Sequence, residues 1–414
     1  MTAASLTIVL LAFAQTCFAQ QFPLETVTVE GGTYPQAFVL KWSGLKIGQT
    51  ADNAVFSEAC AKLQATGLFR AAAFRYAPGA KGGYALVLHL EPEASLVDAE
   101  LDIPEIADNE ALWAWLRANY PLNEHRVPEN DAALSFYSRA IEKYLASNGE
   151  KEDITTRLGG GFGPGAKLTV LFQPKNLPKV GTVRFEGTHS FGAGDLEKRI
   201  AGVALQSDYS PSQFRLLIEQ NIRPIYEERG FLNVVFVNRS EKPADGAVAV
   251  TTTVTEGRTY HLGNVNLEGE GISSDELMKS GGFKIGQLAN WREIEAAVAA
   301  AERPLRRNGY ITLKSQLDRQ LQDDTGMVDL TVHMRKGLQF VFGSLQISGL
   351  SPALEMQARR LWTLKAAEPL NQEYPDEYLR TISKLPEFSQ VKGFGTQVKV
   401  HAGSNVADVA ISFR

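Results

Sequence analysis

"GTVRFEG" occupies Gly181–Gly187, "GNVNLEG" Gly263–Gly269 and "GSLQISG" Gly343–Gly349, one phrase written three times at offsets of 82 (263 − 181) and 80 (343 − 263). In each, apolar residues alternate with polar ones: Val183 and Phe185, Val265 and Leu267, Leu345 and Ile347. That period of two marks a short strand with one buried face. The glycine that closes each phrase, Gly187, Gly269 or Gly349, allows the backbone a sharp exit. The same grammar stands upstream in "ETVTVEG" (Glu25–Gly31) and "DAELDIP" (Asp98–Pro104). Starts at 25, 98, 181, 263 and 343 are spaced by 73, 83, 82 and 80 residues, well beyond a solenoid repeat of about 20–50. Each unit is therefore expected to be a small domain.

A second phrase keeps the register. "GLKIGQTAD" (Gly44–Asp52) recurs as "GFKIGQLAN" (Gly282–Asn290), with "GVALQSDYS" (Gly202–Ser210) a looser version. A short amphipathic helix precedes it, as in "GDLEKRIAG", or from Ser273 with Glu276 at capping-box spacing. A longer helix follows. In the third copy Phe214, Leu217, Ile218, Ile222, Ile225 and Tyr226 recur at three-and-four spacing, and the helix stops at Gly230; in the fourth it stops at Gly309. Pro224 and Pro304 are expected to bend the last turn. Two strand-like runs then close each unit, "FLNVVFVNR" and "AVAVTTTVT" in the third copy. The reading is strand, helix, helix, strand, strand: an α+β fold of five tandem βααββ domains, each a three-stranded sheet covered by two helices around its own separate core. The boundaries expected are a signal peptide at 1–19 and repeats at 20–93, 94–176, 177–258, 259–337 and 338–414.

The bulk composition agrees with a globular chain. Of 414 residues 44% are hydrophobic and 21% charged, with a net charge of −5; Lys and Arg are scattered, which excludes a nucleic-acid footprint. An apolar run from Leu6 to Phe13 followed by Cys17-Phe18-Ala19 reads as a secretory signal cleaved after Ala19. No later stretch has the roughly 20 apolar residues of a membrane helix. After cleavage Cys60 would be the one remaining cysteine, so no internal disulfide is expected, as suits a bacterial periplasmic chain.

The strand-ending glycine, the phrase before the second helix, and the helix endings Tyr226…Gly230-Phe231 and Asn308-Gly309-Tyr310 together resemble the POTRA (polypeptide-transport-associated) domain. Five copies in phase resemble the periplasmic region of BamA-type outer-membrane assembly proteins. The resemblance implies a non-enzymatic scaffold in the periplasm of a Gram-negative-type bacterium, in peripheral contact with the outer membrane. Its implied partners are unfolded outer-membrane polypeptides, or a β-barrel or assembly-complex subunit. The alternative is a structural adaptor that docks a separately encoded barrel or envelope complex without binding clients. BamA-type proteins follow their repeats with a barrel of at least eight strands, whereas this sequence reaches "VADVAISFR" as the last strand of its fifth copy. Membrane insertion by this chain alone is not expected.

Side-chain chemistry offers little. His89, His125, His189, His261, His333 and His401 are dispersed without HExxH or a cysteine pair, so no metal, cofactor or catalytic set is expected. "GGGFGPG" (Gly159–Gly165) lacks a following Lys-Ser or Lys-Thr and reads as a hairpin. Cys60 shares an apolar helix stripe with Val55, Phe56 and Leu63 and reads as core. "RPLRR" (Arg303–Arg307) reads as a solvated helix end, with an anion or headgroup patch as the alternative. The functional candidate is backbone: Phe231, Asn233, Val234, Val235, Phe236 and Val237 form an almost uncharged second strand in the third copy, which the resemblance places at a sheet edge, where another strand can dock. Gly31, Gly187, Gly230, Gly269, Gly309 and Gly349 are the markers of the repeat.

Overall fold

Gly31, Gly187, Gly269 and Gly349 all adopt positive φ, at 87°, 73°, 122° and 87°. The structure, a computed structural model, shows why no side chain fits there. A Cβ would lie 2.3, 2.4, 2.0 and 2.0 Å from the carbonyl oxygens of Leu90, Val254, Met334 and Phe413 on the neighbouring strand, far inside van der Waals contact. The glycine thus lets the chain leave the sheet while still touching it. Residues 22–32, 34–104, 109–122, 124–160, 167–241, 246–269, 272–401 and 403–414 are described. The expected signal peptide and most of Gly159–Gly165 lie outside them.

The first module comprises β1 (Phe22–Glu30), α1 (Gln36–Ser43), β2 (Thr50–Ala51), α2 (Asn53–Ala65), β3 (Phe69–Pro78) and β4 (Tyr84–Pro92). The second has β5 (Leu96–Leu101), α3 (Asn109–Asn119), β6 (Arg126–Pro128), α4 (Asp131–Ser147), β7 (Ile154–Gly160) and β8 (Leu168–Pro174). The third has β9 (Val180–Glu186), α5 (Ala193–Ala204), α6 (Pro211–Asn221), α7 (Arg223–Glu227), β10 (Val235–Glu241) and β11 (Val248–Thr255). The fourth has β12 (His261–Gly269), α8 (Ser274–Gly281), α9 (Trp291–Arg307), β13 (Lys314–Gln322) and β14 (Met327–Arg335). The fifth has β15 (Val341–Ser348), α10 (Pro352–Leu361), α11 (Tyr374–Ile382), β16 (Phe394–Val400) and β17 (Val406–Phe413). In every module the last strand is central, parallel to the first and antiparallel to the second. This is the expected α+β array of βααββ modules, with one correction. In the first two modules β2 and β6 add a short fourth strand outside the first.

A second fivefold feature sits between the helices. Gly48, Glu124, Gln206, Gly286 and Ala367 all have positive φ, between 56° and 86°. The N–H groups of Gly48, Gln206, Gly286 and Ala367 donate to Leu24, Val180, Leu262 and Phe342 on the first strands at 2.7–2.9 Å. The first strand answers one residue on: Leu24, Ala99, Val180, Leu262 and Phe342 donate to the carbonyls of Gln49, His125, Ser207, Gln287 and Glu368 at 2.7–3.0 Å. The helix starts follow the sequence. Asp52 and Asn290 accept from Val55 and Glu293, and Ser273 with Glu276 completes a capping box. The prolines differ in effect. The helix breaks at Ile222, and Pro224 falls in the first turn of α7, where its missing N–H is not needed, whereas Pro304 stays inside α9, which runs on to Arg307.

The chain folds as two compact units, one of Met1–Pro178 with Asp208–Ser212 and one of Lys179–Ser207 with Gln213–Arg414. The expectation of separate cores fails in the first unit, and in the second the cores of modules four and five stay distinct but each borrows a side chain from the module before it. In the first unit, the buried residues of modules one and two form one cluster. Trp42 of α1 stacks on Tyr120 at 6.2 Å and meets Phe136 edge-on at 5.5 Å. In the second unit Leu232, from the third module, lies in the core of the fourth, and Ile311 packs against the core of the fifth. Large aromatic and branched residues at module ends have nowhere else to bury.

Candidate functional site

A three-stranded sheet has two rims, and here they are treated differently. The rim of the first strand is met by side chains of its own first helix. Gln36 donates to the Val27 carbonyl, Glu197 accepts from the Phe185 N–H at 3.4 Å, Ser274 Oγ accepts from Leu267 at 3.2 Å, and Arg359 donates to the Leu345 carbonyl at 2.9 Å. The opposite rim belongs to β3, β7, β10, β13 and β16, each at the end of its strand order.

Which backbone groups face outward follows from alternation. In the fifth module Gly393 and Arg414 exchange N–H···O bonds in both directions, at 3.1 and 2.7 Å. Both groups of one residue in an antiparallel pair point the same way, so Phe394, Thr396 and Val398 turn theirs away from β17. These residues stand across from the buried Phe413, Ile411 and Val409, on the sheet face that the helices cover. The same topology in the third module turns the backbone of Phe236 and Asn238 outward, away from β11. Arg223 agrees: it donates to the carbonyl of Val234, two residues before Phe236, at 3.0 Å.

The six residues singled out from sequence therefore divide. Phe231, Asn233 and Val234 precede β10. Phe231 meets Tyr226 edge-on at 6.0 Å, Asn233 donates to the Tyr260 hydroxyl at 3.0 Å, and Val234 is buried. Val235, Phe236 and Val237 open the strand. Val235 and Val237 are half exposed, at 51% and 49%, and stand across from Thr255 and Thr253 on the outer face. The Phe236 ring faces inward, 5.8 Å from Tyr226 and 5.3 Å beneath the Arg223 guanidinium. From Val235 to Asn238 the rim has no charge, proline or glycine, the devices that discourage strand addition. Charges follow in β10 at Arg239 and Glu241, and the other rims are interrupted likewise, β3 by Arg70, Arg75 and Pro78, β7 by Arg157, β13 by Lys314, Asp318 and Arg319, and β16 by Gly395 and Lys399. Sequence reading missed Arg223 and Glu219, which pair at 3.0 Å and close the upstream end of this rim; their i,i+4 spacing was the available signal.

Behind β10 the module is tied by Glu256. This buried carboxylate accepts from the N–H of His189 at 2.8 Å, from the N–H and Oγ of Ser190 at 2.9 and 2.7 Å, and from the Tyr226 hydroxyl at 3.3 Å. Burial alone would raise its pKa, but the donors from Ser190, His189 and Tyr226 outweigh that and hold it below its ordinary value. Burial, with the adjacent carboxylate, pushes the Tyr226 hydroxyl well up.

The remaining candidates resolve into packing and pairing. Cys60 is buried, and burial pushes its thiol up. His333 lies between Glu268 at 3.1 Å and Asp318 at 3.0 Å on an exposed sheet face. No cluster of three or more metal-ligating side chains occurs among the described residues, and no helix there is long and apolar enough to cross a membrane. The "RPLRR" arginines stand at the solvated end of α9 and also make ion pairs there. Arg303 and Arg307 pair with Glu373 of the fifth module at 3.0 and 2.6 Å.

No protein-family model matches the chain. Among solved structures it is similar to POTRA domains 3–5 of BamA from Haemophilus influenzae, at 16% identity over 58% of this chain and 97% of that one, with a TM-score of 0.45. It is also similar to the N-terminal domain of Omp85 from the thermophilic cyanobacterium Thermosynechococcus elongatus, at 18% identity over 58% of this chain and 97% of that one, with a TM-score of 0.22. A third likeness is to CdiB from Escherichia coli, at 16% identity over 49% of this chain and 34% of that one, with a TM-score of 0.20. The chain is a tandem array of βααββ modules, and that description rests on its own strand order and its recurrence about every 80 residues.

Proposed function

We propose that this chain is a non-enzymatic periplasmic scaffold for outer-membrane protein assembly or export. It receives extended polypeptide, such as an unfolded barrel segment, by strand addition at β10. One observation carries the reading: the first-strand rims are met by their own helices, while β10 opens with an uncharged stretch, Val235 to Asn238, with the backbone of Phe236 and Asn238 turned outward. Main-chain pairing supplies affinity in such docking, and the flanking side chains supply selectivity. The likeness to POTRA structures of outer-membrane assembly and secretion proteins supports the setting.

The test is photo-crosslinking in the periplasm from Val235 and Val237, with recovery of the attached chains, in the wild type and in Asn238→Pro. Proline removes an outward N–H and is tolerated on a rim. Crosslinks to many different barrel polypeptides, lost in Asn238→Pro while the module stays folded, are expected. Crosslinks to one folded partner, insensitive to the proline, would replace strand addition with an adaptor that docks a barrel or envelope subunit.

A further inference from the structure

We propose that modules three to five are coupled in one direction, each module completing the core of the one that follows it. Leu232 stands two residues after Gly230, and Ile311 two residues after Gly309. By sequence pattern they read as the start of the second strands of modules three and four, which begin at Val235 and Lys314. By packing they belong elsewhere. Leu232, 2% exposed, lies in the fourth-module cluster with Tyr260, Leu262, Ala289 and Leu313, and Ile311 packs against the fifth-module cluster that contains Phe340 and Leu370.

The backbone around the two plugs is the same. The Gly230 carbonyl accepts from Tyr260 at 2.9 Å, and the Tyr260 carbonyl accepts from Ala289 at 2.9 Å. The Gly309 carbonyl accepts from Phe340 at 2.8 Å, and the Phe340 carbonyl accepts from Leu370 at 2.9 Å. Both glycines have positive φ, at 80° and 88°. A Cβ at Gly309 would fall 2.4 Å from the Phe340 oxygen, and one at Gly230 would fall 2.8 Å from Leu288 Cδ1. Ion pairs flank each joint: Arg319 with Glu227 at 2.9 Å, its guanidinium 4.8 Å over the Trp291 ring, and Arg303 and Arg307 with Glu373.

The direction is visible in the membership of the clusters at the joint between the fourth and fifth modules, and the matching backbone extends it to the joint before. Among the described residues the fourth-module core takes Leu232 from the module before it and includes no residue beyond Met334. A core that lacks one large side chain loses its burial and gains a cavity. Loss of the plug should therefore be felt downstream, in the module that holds it.

Hydrogen exchange on the full chain tests this. In Leu232→Ala the amides of β14 should exchange on the order of 100-fold faster, with those of β11 changed only several-fold. In Ile311→Ala the acceleration should fall on β17 more than on β14. Leu232→Val should reproduce the pattern at roughly fivefold, and serves if the alanine variant does not fold. As the reverse control, Ile411→Ala in the fifth-module core should accelerate β17 and leave β14 unchanged. Acceleration of β11 equal to or above that of β14 in Leu232→Ala, or acceleration of β14 in Ile411→Ala, overturns the one-way coupling.

Discussion

The turn between the helices offers a test with opposite signs at equivalent positions. Gly286 sits at φ 82° and Gly48 at φ 86°, and a Cβ at either would meet no atom within 4 Å. Alanine there changes only the backbone terms. A left-handed conformation costs an L residue about 1–2 kcal/mol, and the stiffer unfolded chain returns about 0.4–1 kcal/mol. The net is about 0.8 kcal/mol of destabilisation for Gly286→Ala, confined to the fourth module. Ala367 occupies the same turn at φ 66° with the strain already present, so Ala367→Gly should stabilise the fifth module by a similar amount. Native-state hydrogen exchange resolved by module is the assay, because a multi-domain chain has no single unfolding free energy. In the most protected amides the two variants should move β14 and β17 in opposite directions, each about fourfold. A neutral or stabilising Gly286→Ala together with a destabilising Ala367→Gly would refute the strain account.

Two further outcomes follow from contacts and charge. Gly187→Ala combines φ 73° with a Cβ only 2.4 Å from the Val254 carbonyl oxygen and should destabilise the third module by about 3 kcal/mol, measured by the same exchange experiment on β11. Acid should loosen the third and fifth modules through Glu256 and Asp408. Burial raises the Glu256 pKa, but the bonds from Ser190, His189 and Tyr226 lower it further, and bonds from His401 and Ser344 lower that of Asp408. A carboxylate whose folded pKa lies below its unfolded value stabilises the fold above the unfolded value and loses that contribution as pH falls through the folded one. Protection of β11 and β17 should therefore hold above about pH 5 and decline below the ordinary values of 4.5 and 3.8. Glu256→Gln should flatten the decline in β11 alone; an unchanged slope there would count against the assignment.

The period of the array, its strand faces and the capping residues Asp52, Ser273 and Asn290 were legible in sequence because each depends on neighbours a few positions apart. The second module was the faintest copy for a physical reason. It has Pro104 where the aligned phrase of other modules ends in glycine, and Glu124 where two others place a glycine in the turn, yet the turn survives in it: Glu124 keeps a φ of 56°. The geometry was conserved where its usual residue was not. The start of β10 was misjudged for a different reason. Phe231–Val234 alternate like strand residues, but the helix-ending Gly230 sends them through a turn first.

That turn also explains why the joints were invisible. Leu232 and Ile311 are apolar residues next to an apolar strand, and periodicity assigns such a residue to its own module. Nothing local distinguishes a side chain that fills its own core from one that fills its neighbour's. The distinction is made by glycine. With φ near 80°, Gly230 turns its carbonyl toward Tyr260, and the residue two positions on is carried across with the chain. A repeat whose helix ends in glycine, followed two residues later by a large aliphatic, therefore encodes its attachment to the next repeat as well as its own fold. The strand that begins just beyond this plug in the third module is β10. The candidate docking rim is consequently anchored at its upstream end by the fourth module's core, and a client strand pairing from Phe236 onward would meet an edge that is already held in place.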